Sequence, residues 1–518
     1  MAEQNPVSRF LAKFAVLKDA PRELWITFIV KCLNIAAYAV TSTTLVLWLS
    51  SELHFTDQKA LGLVAAWSLT MSIGTLLVGS LTDALGMRRT FFLGAWVCLA
   101  ARTVMIFAAA PWLAIAAGMF PLALGEALGG PVLIAAGRKY STTKQRSLSF
   151  SVLYAMMNVG FLLASYLFDW VRSGLGSGVG DHLVHLFHAL GIHSSLDWVS
   201  HGLGGNGHWT LPLIGVTLTT YRTLFLVSWV FTASQFPLLW FVRRGAEMTD
   251  EGLKMVKPTA TTRGNILAAL WTTLHDSTRD TARFFLSLVK EQGFYRLMAF
   301  LVLIAFLKLV LMQMYYVYPE FGIRVLGQKA PVGHLWAINQ WLIILLVPIV
   351  GALTQKFPAY PMVILGGILT AASVFIMAMP TQWFQGVANG GPGDWLGHGY
   401  LGLKGRVHPY YLMIALFVII YSFGEAFYSP RVYEYAAAIA PRDHEASYSA
   451  LSYIPLLLAK LMIGTFSGVL LANYCPAHGA KHPATMWLFV ALTASIAPLG
   501  LILLRRFIRL HEAGRQEE

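Results

Sequence analysis

Charge is what this chain of 518 residues has least of. Asp, Glu, Lys and Arg make up 12% of it and hydrophobic residues 56%, against roughly 25% charged residues in a soluble domain. That excludes a disordered chain and an array of soluble domains. Cysteine is scarcer still: of three, Cys32 and Cys98 lie in apolar runs and Cys475 follows one, so no disulfide framework, redox pair or zinc ligand spacing is present. The 45 Gly and 22 Pro are scattered without a period, which excludes collagen-like repeats. No HExxH helix, GxSxG elbow or Walker loop occurs, and no aspartate pair on neighbouring apolar segments. An enzyme and a nucleotide-driven pump are therefore not expected, and no cofactor or metal is. Acids are the scarcer charge, 25 against 38 Lys and Arg, for a net +13. In a soluble protein that excess would suggest nucleic acid.

What fills the chain instead is long apolar runs. A helix needs about 20 mostly apolar residues to cross ~30 Å of hydrocarbon. Twelve such runs begin near Leu24, Ala60, Thr90, Trp112, Leu148 and Thr219, then near Leu297, Gly333, Ala359, Pro409, Ala446 and Thr485. Helices satisfy their own backbone groups in lipid, and the alternation of a membrane barrel is absent. The expected fold class is all-α: about twelve transmembrane helices in two six-helix bundles. Residues 1–23 read as a cytoplasmic amino-terminal segment without a cleavable signal, 24–243 as the first bundle and 244–296 as a cytoplasmic linker. Residues 297–508 read as the second bundle and 509–518 as a cytoplasmic tail.

Most Lys and Arg fall on one side of this arrangement, in clusters at Arg88 with Arg89, Arg138 to Arg146, Arg243 to Arg296 and Arg505 to Arg509. Positive residues stay inside, so both termini are expected in the cytoplasm, in a plasma (inner) membrane, and the high positive charge reflects topology rather than nucleic-acid binding. Within the linker, Ile266 to Leu288 has helical amphipathic spacing and is expected along the inner membrane face. Two glycine-rich outer loops, Ser173 to Leu218 and Gln382 to His408, read as mobile rather than catalytic. In the first, His182, His185 and His188 have the spacing of a weak metal site. No fourth ligand is fixed there, and an amphipathic surface helix from Asp181 to Leu190 explains them better.

Motifs narrow the reading. After the second run comes Gly79-Ser-Leu-Thr-Asp83-Ala-Leu-Gly86-Met-Arg88-Arg89, in which glycines permit a tight turn and Asp83 can hold a basic group or helix end. This resembles the loop signature between the second and third helices of the major facilitator superfamily. The resemblance implies alternating access around a central cavity between two halves. Four further stretches resemble the proton-dependent oligopeptide transporter family. Phe150 to Gly160, with Tyr154 and Asn158, is similar to its FYxxxNxG signature, and Ala337-Ile-Asn339-Gln-Trp341 through Pro348 to its SINPxxIxxxAP segment. Gly424-Glu425-Ala-Phe-Tyr428-Ser429-Pro430 with Ala440-Pro441 resembles GExxxSP…AP, and Gln313 matches a glutamine of the seventh helix.

Departures from that family are equally specific. Its first-helix ExxER motif, which serves proton coupling and substrate carboxylate recognition, is met here by Lys31, Asn34 and Ile35, when aligned on Leu45-Val-Leu-Trp48-Leu. A lysine of the fourth helix is replaced by Gly130, and an acid before Gln313 by Met312. Asn339 and Glu425 survive, and in the family these positions hold a peptide's amino end.

An ionisable group mid-membrane costs ~2.5 kcal/mol or more, so it is usually paired or functional. Lys31 in the first run and Glu126 in the fourth form the expected amino-half ion pair, either proton-coupled or permanently structural. Glu425 is the expected seat of a solute amine, unless it merely pairs with Lys308 or Lys460. Lys308, Lys460 and Arg102 are candidate carboxylate partners, Arg102 alternatively a packing brace. Arg431 and Glu434 read as a gate contact. Tyr38, Tyr154, Tyr315, Tyr316, Trp336 and Trp341 neighbour the polar motif residues and suit a wall for a small organic ligand; the alternative for each is helix packing. The expected substrate-binding set is Glu425, Asn339, Tyr38, Asn158, Tyr154, Gln313, Lys308, Lys460 and Trp336. The expected coupling set is Lys31, Glu126 and Glu425.

Together these describe a secondary active transporter of a small amine-bearing solute, peptide-like or an amino compound, driven by protons. It is expected to act as a monomer in contact with lipid and not to bind nucleic acid. An uncoupled facilitator or exporter, and a transporter-shaped sensor, are the alternatives.

Overall fold

The computed structural model describes residues 17–85, 87–189, 196, 198–205, 207–211, 215–243, 245–249, 252–255, 292–354, 357–438, 451 and 454–508. It is a multi-pass integral membrane protein. Among the described residues eleven helices are long and apolar enough to span a membrane. In chain order the long helices are α1 (Arg22–Glu52), α2 (Asp57–Leu85), α3 (Met87–Phe107), α4 (Pro111–Lys139), α5 (Thr143–Ser173) and α6 (Thr220–Trp240). They continue as α7 (Gln292–Tyr316), α8 (Val332–Leu353), α9 (Ala359–Ala378), α10 (Pro409–Ala438), α11 (Ile454–Tyr474) and α12 (Pro483–Leu503). The 29-residue α2 stands where the second span was expected.

Helix starts follow local chemistry. Pro111, Pro409 and Pro483 open α4, α10 and α12, and Pro358 immediately precedes α9. Proline at a first turn loses no hydrogen bond and presets the helical φ. Three helices contain wide π turns: the end of α1 at Trp48–Glu52, α4 at Ala114–Met119 and α11 at Ile463–Ser467. Such turns rotate the following side chains out of α-helical register.

Cα packing divides the chain into two compact units, Met1–Thr41 with Thr70–Ala164 and Phe225–Phe284, and Ser42–Leu69 with Ser165–Leu224 and Phe285–Glu518. These boundaries cut through α1, α2, α5 and α6. In the first unit one apolar cluster gathers Leu24, Phe28, Ala136, Tyr140, Leu153 and Val242, and a second gathers Val30, Phe91, Val132, Leu133 and Leu239.

Both units contain a helix crossing that only glycine allows. In the first, a Cβ on Gly94 of α3 would lie 2.8 Å from the Leu128 Cβ and 3.1 Å from the Gly125 carbonyl oxygen of α4. In the second, a Cβ on Gly366 of α9 would lie 2.6 Å from the Gly424 carbonyl oxygen and 2.7 Å from the Tyr428 nitrogen of α10. Backbone-to-backbone approach of this kind, through small residues, is how helices associate where lipid supplies no hydrophobic drive.

Two expectations about loops are corrected. Residues 173–218 hold helices Gly176–Ala189 and Trp198–His201 and a hairpin pairing His208–Thr210 with Thr217–Thr219. The Ser200 hydroxyl donates to Asp181 at 2.5 Å, and the Leu203 amide to the Val171 carbonyl at 2.8 Å, so the described part of this loop is folded and hydrogen-bonded. Residues 382–408 likewise form short helices at Gln382–Ala388 and Gly391–Asp394, then a π turn at Trp395–Tyr400. The amphipathic linker segment 266–288, Gly86, and Ala440-Pro441 lie outside the described residues.

Gly366→Ala must displace backbone and is expected to lower stability by about 1–3 kcal/mol. Gly351→Ala, where a Cβ meets open space, is expected to be neutral. Melting of the purified proteins in detergent compares the two.

Candidate functional site

The second unit brings Asn339 and Glu425 together. Asn339 of α8 donates its amide to Glu425 at 3.2 Å and to the Ser422 hydroxyl at 3.0 Å, both on α10. Gln340 donates to the Asn339 side-chain oxygen at 2.9 Å, which fixes the amide's orientation. All four side chains are buried. Among the described residues Asn339 is the one group hydrogen-bonded to Glu425, and no ion pair reaches that carboxylate. Lys308 of α7 exerts Coulombic attraction on it. Its ammonium, however, donates to Ser429 at 3.0 Å and lies 4.9 Å from the Tyr428 ring centroid. A carboxylate with one neutral donor, at a depth where an uncompensated charge is costly, is chemically a seat for a cation or a proton.

Aromatic rings stand beside this group. Trp336 of α8 meets Tyr315 edge-on at 6.0 Å and Tyr421 at 6.0 Å, and among the described residues its buried indole nitrogen has no hydrogen-bond partner. Gly424 precedes Glu425 at the α9–α10 crossing, so the glycine contact sets where the carboxylate points.

In the first unit the expected Lys31–Glu126 pair is not formed. Glu126 accepts from Arg102 of α3 at 2.5 Å, with both side chains buried. The remaining guanidinium donors go to Ser228 at 2.9 Å, Thr232 at 2.8 Å and Thr41 at 3.4 Å. Helices α1, α3, α4 and α6 thus converge on one cation. The planar fork of arginine satisfies carboxylate and hydroxyls at once, which a lysine ammonium does not match. Of its two expected roles, Arg102 has that of brace. The hollow beside it, lined by Asn34, Cys98, Arg102, Gly129 and Thr232, measures about 10 Å³, room for one water. Lys31 is buried on α1, and among the described residues nothing hydrogen-bonds or pairs with it.

A family model described as Major Facilitator Superfamily matches residues 27–179. No match is found among curated protein sequences. Among solved structures, a bacterial homologue of the human drug peptide transporters is 17% identical, with a TM-score of 0.58 over 94% of this chain and 99% of that one. A mutant of the peptide transporter POT is 14% identical, at 0.65 over 96% and 98%. A POT family transporter in complex with 5-aminolevulinic acid is 14% identical, at 0.63 over 94% and 97%. The chain has the major facilitator fold. It is similar to the POT family within that superfamily, and its family and fold neighbours are transporters, not enzymes.

Other motif residues of the facilitator fold have more local partners. Gln313 of α7 donates to Ser467 of α11 at 2.6 Å, at the π turn, so its amide serves packing. Asn158 donates to the Tyr154 carbonyl one turn back at 2.9 Å. Tyr154 is exposed, Tyr38 half-buried and Lys460 buried. Trp341 is exposed and donates to the Tyr166 hydroxyl at 3.3 Å. Gly79 and Asp83 lie within α2, whose helix runs on to Leu85, so the backbone at both is helical rather than turned. Arg88 donates to the Trp240 carbonyl at 3.1 Å and lies over the Phe92 and Trp240 rings; Arg89 is exposed. Arg431 donates to the Thr354 carbonyl and hydroxyl at 2.6 and 2.7 Å and pairs with Glu434.

Sequence reasoning missed a charged network at one end of the second unit. Arg324, on the short helix Tyr318–Leu326 after α7, makes a two-pronged pair with Asp57 of α2 at 2.7 and 2.8 Å and pairs with Glu320 at 2.7 Å. Burial pushes the Glu320 carboxyl up against the pull of Arg324, and the bonds from Asp57 and Glu320 outweigh burial to hold Arg324 above its ordinary range. Nearby, Arg222 pairs with Glu52 at 2.5 Å. Asp169 of α5 accepts from the backbone and ring nitrogens of His334, each at 2.7 Å, while Tyr400 donates to the His334 carbonyl at 2.9 Å. These groups sit at helix ends, outside the apolar centres that draw attention in a sequence.

Leaving Arg102 buried and unpaired by Glu126→Gln is expected to cost about 3–5 kcal/mol, read as a large fall in melting temperature. At the other network, Asp57→Arg and Arg324→Asp are each expected to lower the melting temperature, and the double exchange to restore part of the loss.

Proposed function

We propose that this protein carries a small amine-bearing solute, peptide-like or an amino compound, across the membrane by alternating access driven by protons. The observation that carries the reading is the buried Glu425 carboxylate, held by the Asn339 amide and, among the described residues, reached by no ion pair. A protonated amine supplies the compensation it lacks, and so does a proton, so occupancy of this one group responds to both solute and pH. The aromatic wall of Trp336, Tyr315 and Tyr421 then excludes water and packs the solute's carbon skeleton. Solved neighbours in complex with 5-aminolevulinic acid and with a thioalcohol conjugated peptide are consistent with an amine-bearing class.

The lysine and arginine distribution supports a plasma-membrane protein with cytoplasmic termini. It also supports bundles at 24–243 and 297–508 joined by a cytoplasmic linker. On that sidedness the Asp57–Arg324 and Asp169–His334 contacts lie toward the external side. A second reading, an uncoupled facilitator, is favoured by one observation: Lys31 and Asn34 stand where the neighbouring family has coupling acids.

Reconstitution in liposomes with an imposed pH gradient, screening amines, amino acids and short peptides, separates these. Gradient-driven accumulation of an amine that falls at least about tenfold in Glu425→Gln is expected. Equilibration that ignores the gradient points to the facilitator, and uptake indifferent to Glu425→Gln sinks the assignment of the seat.

A further inference from the structure

The two glycine crossings share more than tightness. Around them the sequence repeats: Gly125-Glu126-Ala127 followed by Pro131 on α4, and Gly424-Glu425-Ala426 followed by Pro430 on α10, with the same spacing. The packing repeats in the same register. A Cβ on Gly125 would meet the Cys98 sulfur at 2.6 Å, the Cys98 nitrogen at 2.9 Å and the Gly94 carbonyl at 3.1 Å. A Cβ on Gly424 would meet the Thr370 hydroxyl at 2.5 Å, the Thr370 nitrogen at 2.9 Å and the Gly366 carbonyl at 2.8 Å. Gly94 and Cys98 on α3 therefore correspond to Gly366 and Thr370 on α9. Each carboxylate follows the crossing glycine by one residue, so the two units hold copies of one buried acid site.

The copies differ in what faces the acid. One further turn along α3 from Cys98 stands Arg102, the cation bonded to Glu126. One further turn along α9 from Thr370 stands Val374, buried and apolar. Glu425 thus has no counterpart of that guanidinium. Its own environment offers no substitute in contact: Lys308 approaches from α7 but is committed to Ser429 and the Tyr428 ring, while Asn339 from α8 and Tyr421 on its own helix are neutral. The Thr370 hydroxyl beside the crossing is buried and, among the described residues, has no hydrogen-bond partner, a donor and acceptor left over in the copy that lacks the arginine.

We infer that Arg102 is a built-in cation that permanently fills the amino-half copy of this acid site, and that Val374 keeps the carboxy-half copy open, so that the positive group of the solute takes at Glu425 the role Arg102 plays at Glu126. This rests on the reading of Glu425 given above and deepens it. The ligand class is a primary ammonium or guanidinium, Val374 is the residue that sets cation access, and Glu126 takes no part in coupling.

The full-length protein is reconstituted and tested with the amines it carries and with guanidinium compounds. Arg102→Met combined with Glu126→Leu replaces the braced pair by apolar groups, a change that buried ion pairs often tolerate or gain from. Uptake and its gradient dependence within about twofold of the wild type are expected. A tenfold or larger loss in a protein that melts normally would overturn the inference. Val374→Arg places an internal cation beside Glu425 and is expected to abolish uptake, with Val374→Leu as the bulk control that retains it; uptake retained by Val374→Arg also overturns the inference. Should Val374→Arg fail to fold, the paired substitution decides alone. A wild type that carries no amine defeats the functional reading separately. Melting tests the amino-half part of the inference independently of transport: Arg102→Met alone destabilising more than the paired substitution supports a permanently filled acid site, and equal effects refute it.

Discussion

Removing a charge from water into the interior of a helical membrane protein is so costly that every buried ionic group here must be matched, shared or left for a ligand. The helix arrangement follows from how that demand is met. At Arg102 of α3 three other helices contribute oxygens to a single guanidinium, Thr41 from α1, Glu126 from α4 and Ser228 with Thr232 from α6, and the pair with Glu126 lies beside a hollow with room for one water. Such a cluster makes little net contribution to stability relative to an apolar core, but it fixes the rotation of all four helices about their axes. At Glu425 the same demand is met, among the described residues, by the Asn339 amide and no ion pair.

Glycine makes both sites possible. The α3–α4 and α9–α10 crossings bring backbones close enough that a single methyl would strike a carbonyl or amide. A carboxylate one residue beyond such a contact has little freedom to swing toward lipid. Position and chemistry are therefore coupled: the residue that permits the approach also aims the acid. The aromatic ring cluster of Trp336, Tyr315 and Tyr421 lowers the local dielectric around Glu425, which strengthens its interaction with any cation that enters.

Much was legible before the structure. The long helices and their order follow from apolar run length, and the motifs singled out Asn339 and Glu425; that the two side chains bond each other is seen only in the structure. The partner of Glu126 was not legible either. Lys31 and Arg102 both sit in apolar runs, and nothing in one sequence says which of them turns toward α4. Arg102 prevails because Thr41, Ser228 and Thr232 stand ready to take its other donors, and those hydroxyls looked unremarkable in sequence. The Asp57–Glu320–Arg324 and Asp169–His334 contacts were missed for a related reason. They lie at helix ends, where charge is common and its partner depends on which ends meet.

The sequence by itself determined that the chain spans a membrane many times as helices, because hydrocarbon leaves the backbone no other way to satisfy its hydrogen bonds. It also determined that a few ionisable groups at mid-depth had to be functional or paired. Only the tertiary structure decided which ones were paired. Each residue turns a helix by about 100°, so a side chain's direction, and hence its partner, is set by how neighbouring helices pack and rotate rather than by how far apart residues lie along the chain.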